Sequence, residues 1–109
     1  MTRLDVITMI GDIIQVVDVA RGSLMPNDAN RLKLDDLRTR LDNSQQSLSQ
    51  AQFDDNTQQF QQAAQALKTV NDQIKQSIQQ VSDIVTVLNE VTTFLNAVTD
   101  LLSAVGPFV

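Results

Sequence analysis

The chain has 109 residues, 42% of them hydrophobic and 19% charged, and a net charge of −5. That length fits a single domain over residues 1–109, and the apolar content is too high for a disordered chain. There is no His, Cys, Trp or Tyr, which removes disulfides, thiol nucleophiles, Cys/His zinc sites and imidazole acid–base chemistry.

The first expected element is a helix over about residues 3–21. Its polar positions Asp5, Thr8, Gly11, Asp12, Gln15 and Asp18 follow in steps of three and one and share one arc. Val6, Ile7, Met9, Ile10, Ile13, Ile14, Val16, Val17 and Val19 fill the wide remainder. All but Met9 are β-branched and modest helix formers, so the segment depends on burial. Asp12, Gln15 and Asp18 also break up what a secretory leader would keep apolar. The expected location is therefore cytoplasmic, or exported without a cleaved signal peptide.

Gly22 and Pro26 mark a turn, and Asn27 or Asp28 is placed to cap a second helix over about 28–52. Leu34, Leu41 and Leu48 recur every seven residues, with Leu37, Ser44 and Ala51 as the companion column. This is a narrow heptad seam.

From Phe53 the heptad column reads Phe53, Phe60, Leu67, Ile74, Val81, Leu88, Leu95 and Leu102 without a miss. The phase shifts near 53–56, where Asp55 and Gln58 resemble a capping box. The spacing predicts a turn there and then one long helix over about 56–105. Its apolar face widens: the column Ala66, Gln73, Gln80 continues as Val87, Phe94, Leu101. The first half needs one neighbour and the second half needs two or more.

The expected fold is thus all-α, with the long C-terminal helix antiparallel to two shorter helices laid end to end. The seam of residues 28–52 would meet residues 57–80, and the broad face of residues 3–20 would meet 81–105. Two broad-faced helices leave flanking columns wet, and soluble monomers rarely expose such patches. A second copy is therefore expected to complete a four-helix bundle through Val6, Ile10, Ile13, Val17, Val87, Leu88, Phe94, Leu95, Leu101 and Leu102. A rival arrangement folds the first helix over the second as a compact monomer.

Candidate chemistry is sparse. Asp35–Asp36 and Asp54–Asp55 are adjacent pairs, and neighbours on a helix point about 100° apart rather than at one substrate. Asp54–Asp55 reads as a cap. Arg31, Lys33, Arg38 and Arg40 interleave with Asp35, Asp36 and Asp42 at i,i+4 spacing, which suits a self-neutralised surface. With one Glu (Glu90) and no His, the ligand set of a di-metal bundle is missing. An acidic balance disfavours nucleic acid. Asn71 sits at the seam's edge and could set register, while Ser77 faces water or marks a close crossing.

The expected function is a non-enzymatic helical interaction or scaffold module, self-associating as a homo-oligomer, dimer favoured, or engaging a protein partner. No catalytic residue, metal or cofactor is expected. The alternative is a membrane- or lipid-associating helical protein, because broad apolar helix faces also suit bilayers.

Overall fold

The computed structural model describes residues 1–51, 53–80 and 84–104, with the side chains of 77–80 outside the described set. Four helices occur in order: α1 (Arg3–Gly22), α2 (Ala29–Gln50), α3 (Gln58–Gln80) and α4 (Ile84–Ala104). The all-α bundle is the expected class. The expected single helix over 56–105 is not found, because α3 and α4 are separate helices packed on one another. A straight helix of that length would span about 75 Å, whereas the molecule's longest dimension is 42 Å.

Only three residues separate α3 from α4. They cannot run back along a helix of about 30 Å, so the pair is antiparallel. α1 and α2 form the other antiparallel hairpin, joined by ion pairs from Arg38 to Asp18 (2.6 Å) and from Arg21 to Asp35. The hairpins stack mainly through α2 on α4, with lighter contact of α1 on α3. Among the described residues α2 and α3 do not meet. The bundle order is therefore α1–α2–α4–α3, and α2 and α4 run in the same direction. This corrects the expected pairing of residues 28–52 with 57–80, and that of residues 3–20 with 81–105. α2 packs instead on α1 and α4, and α1 folds over α2 as the rival arrangement had it.

The first three helices each start on a local cap. Thr2 and Asp5 make a reciprocal capping box at the start of α1, and Arg21 lies in its last turn. Asp28 caps α2 by accepting from the Asn30 N–H at 2.8 Å. At the start of α3 the hydroxyl of Thr57 accepts from the Phe60 N–H at 3.3 Å, so Thr57 takes the capping place expected of Asp55. Asp55 serves another helix: its carboxylate accepts from the Arg3 N–H at 3.0 Å, satisfying a free donor in the first turn of α1. Asp54 accepts from the Asn56 N–H at 2.9 Å, an Asx turn. Arg3 closes this end of the bundle by stacking 4.4 Å above the Phe53 ring and donating to the Phe53 carbonyl.

The core draws on all four helices. α1 supplies Val6, Met9, Ile10, Ile13 and Val17; α2 supplies the expected Leu34, Leu41 and Leu48 column with Leu37. Phe60, Ala64, Leu67 and Ile74 come from α3, and six buried residues from α4. The widening column is accounted for within one chain, since Phe94 and Leu101 are fully buried and Val87 packs against the core. α4 is wide because α2, α3 and, across the diagonal, α1 all touch it.

Candidate functional site

Of the ten residues expected at an interface between copies, eight are buried in the chain's own core: Val6, Ile10, Ile13, Val17, Leu88, Phe94, Leu95 and Leu101. Val87 and Leu102 are half-buried against it. These ten side chains are thus wholly or partly covered within the chain itself.

The structure places a groove of about 520 Å³ between α2 and α4. α2 brings Asn30, Lys33, Leu37 and Arg40 to it at three- and four-residue steps; α4 brings Val85, Leu88, Asn89 and Thr92 in the same way. Leu37 and Leu88 are nearly buried and form the floor. Leu32 and Val85 also line the groove and stay 59% and 52% exposed. The rim is mixed. On α2 it carries Lys33, Arg40 and Asp36, the last two paired at 3.2 Å; on α4 it carries the uncharged Asn89 and Thr92.

The basic cluster behaves differently from expectation. Of the three expected i,i+4 pairs, Arg40–Asp36 is present. Arg38 reaches Asp18 instead of Asp42, and Asp35 takes Arg21 instead of Arg31. Arg31 donates to the Leu24 carbonyl at 3.0 Å. The charges thus tie α1 to α2 rather than satisfying one helix. Hydrogen bonding from Arg38, with its positive charge and that of Arg21, holds the Asp18 carboxyl below the ordinary aspartate value, and Asp18 in turn raises the Arg38 guanidinium. The Asp5 carboxyl is lowered by hydrogen bonds from the Thr2 N–H and hydroxyl.

A second polar feature lies between α3 and α4. Asn71 is 3% exposed, and its side-chain oxygen has no hydrogen-bond partner. Glu90 on α4 also holds one buried oxygen without a partner, beside a small cavity of about 120 Å³ that it lines with Ile74. The sequence placed Asn71 at the seam's edge; it is inside. The expectation for Ser77 falls outside the described side chains.

Sequence reasoning missed the groove because it paired α2 with α3. The signal was present in Leu32 and Val85, apolar residues standing outside the heptad columns. Among the described residues no group of three or more acidic side chains gathers as a metal site, and no helix is long and apolar enough to cross a membrane. No known protein family, curated protein or solved structure matches this chain, so its function is argued from this geometry.

Proposed function

We propose that the protein is a non-enzymatic helical interaction module that presents the α2–α4 groove to a partner. The observation that carries this is the pair Leu32 and Val85, large apolar side chains left mostly in water across an apolar floor. Covering each of them is worth roughly 1.5–3 kcal/mol at full burial, before the losses of association. Scattered single apolar residues are ordinary on a surface, but two that line one groove with an apolar floor favour a docking site. The self-association expected from sequence is one form of this role, with the groove replacing the buried faces. Replacing Leu32 with Asp tests the proposal. Sedimentation velocity and co-purification should show a complex with the native chain and its loss in the variant, at unchanged helicity. A complex that survives the substitution rejects the groove.

A second function has a specific observation behind it. Among the described residues five large apolar side chains are well exposed; Val19, Met25, Leu32 and Val85 belong to the end formed by the α1–α2 junction and the start of α4, and Leu4 is at the other end. Such an end suits shallow contact with a lipid surface. Co-sedimentation with neutral phosphatidylcholine vesicles, lost in Met25→Asp, supports that role; absence of binding removes it.

A further inference from the structure

We infer that the groove takes an amphipathic helix of another protein whose apolar stripe is flanked by carboxylates. This rests on the interaction-module function above and adds the chemistry of the partner. Shape argues for a helix. The groove runs from Asn30 to Arg40 along α2, about 15 Å at 1.5 Å per residue, between two helices pointing the same way. A third helix laid along it sets two or three turns of apolar residues between Leu32 and Val85 and onto Leu37 and Leu88.

Charge argues for carboxylates. Among the described residues Lys33 stands on the rim with no ion pair or hydrogen bond, whereas every other basic side chain holds a carboxylate or a backbone carbonyl. Arg40 follows seven residues later on the same face. Its bond to Asp36 leaves both side chains more than 60% exposed, so a competing carboxylate displaces Asp36 at little cost. The opposite rim, Asn89 and Thr92, is uncharged and imposes no repulsion. The net charge of −5 opposes an acidic partner at long range. At physiological salt the screening length is about 8 Å, shorter than the groove, so the rim decides.

The test uses the full chain and two synthetic 18-residue amphipathic peptides, alike in their leucine stripe, one flanked by Glu and the other by Lys. Fluorescence anisotropy measures affinity at physiological salt, and methyl NMR of Leu32, Leu37, Val85 and Leu88 locates binding. The acidic peptide should shift those methyls and bind about fivefold more tightly than the basic one. Lys33→Glu should abolish or reverse the preference. Leu32→Asp, at a mostly exposed position, should weaken both peptides about tenfold while helicity stays intact. Equal binding of the two peptides, or a preference that survives Lys33→Glu, overturns the acidic partner and leaves the groove as a docking site. Failure of both peptides to move the methyls overturns the groove itself. Concentration-dependent shifts of the same methyls without peptide, with a rise in mass, assign the groove to a second copy and overturn the inference.

Discussion

Replacing Asn71 with Leu should stabilise the fold. Asn71 lies in the buried stripe of α3, one turn from Leu67 and one from Ile74, and is 3% exposed. Its side-chain oxygen faces no donor. An unsatisfied buried polar atom costs about 1–3 kcal/mol, and burying a leucine contributes about 1.5–3 kcal/mol. Against this stands overpacking, about 1–3 kcal/mol when a larger side chain enters a filled space. The balance favours Leu by about 1–2 kcal/mol, a rise of roughly 4–8 °C in Tm per kcal/mol for a domain near this size. Urea unfolding followed by far-ultraviolet circular dichroism measures it, with an unchanged slope certifying the same transition. A loss above about 1 kcal/mol at constant slope refutes the reasoning, because it means the amide is satisfied in the folded protein. A gain in stability accompanied by extra oligomers would show that Asn71 sets register at a cost in stability, as polar residues at seams do.

Phe94→Ala should cost about 3–5 kcal/mol without changing the mass in solution, since the ring is buried within one chain; a fall in mass at intact stability would put the ring between copies. Asp55→Ala should cost about 0.5–2 kcal/mol in thermal unfolding, because it strips the acceptor from the first N–H of α1, and a neutral outcome refutes that cap. Gly11→Ala should stabilise by about 0.5–1 kcal/mol; the added carbon meets the flexible Gln45 amide at 3.4 Å, so a destabilised variant would show that Gln45 cannot yield. Asp5 and Asp18 are held below the ordinary value of 3.8 when folded, so their contribution is complete above that value and lost as pH falls through the lower folded values. The urea midpoint should therefore drop below about pH 4 and drop less in Asp18→Asn; an identical slope in that variant refutes the Asp18–Arg38 contribution.

Much of the helical content was legible because helix faces repeat. The column Leu34, Leu41, Leu48 and the stripe of α1 are buried as their spacing indicates. The Asp28 cap and the end of α1 at Gly22 follow from local chemistry in the same way. The long helix was misread because periodicity reports which residues face the core, not whether the chain is continuous. Phe60, Leu67 and Ile74 on α3 and Leu88 and Leu95 on α4 keep one seven-residue phase although the helices are separate. Ser82 and Asp83 are capping residue types standing before Ile84, and they were the available sign of a new helix.

The same distinction separates what the sequence by itself determined from what the tertiary structure decided. Composition and periodicity determined an all-helical chain lacking the residues of thiol and imidazole chemistry, with its apolar residues concentrated in α1 and α4. They could not determine which helices touch, because an apolar stripe specifies that it must be covered and not by what. Tertiary packing answered that α4 is covered by α2, α3 and α1 of the same chain. It put eight of the ten expected interface residues in the chain's own core. It left Leu32 and Val85 lining one groove between two helices far apart in sequence. It sent Arg38 to Asp18 and Asp55 to the start of α1, partners that only the packing of one helix on another brings within reach.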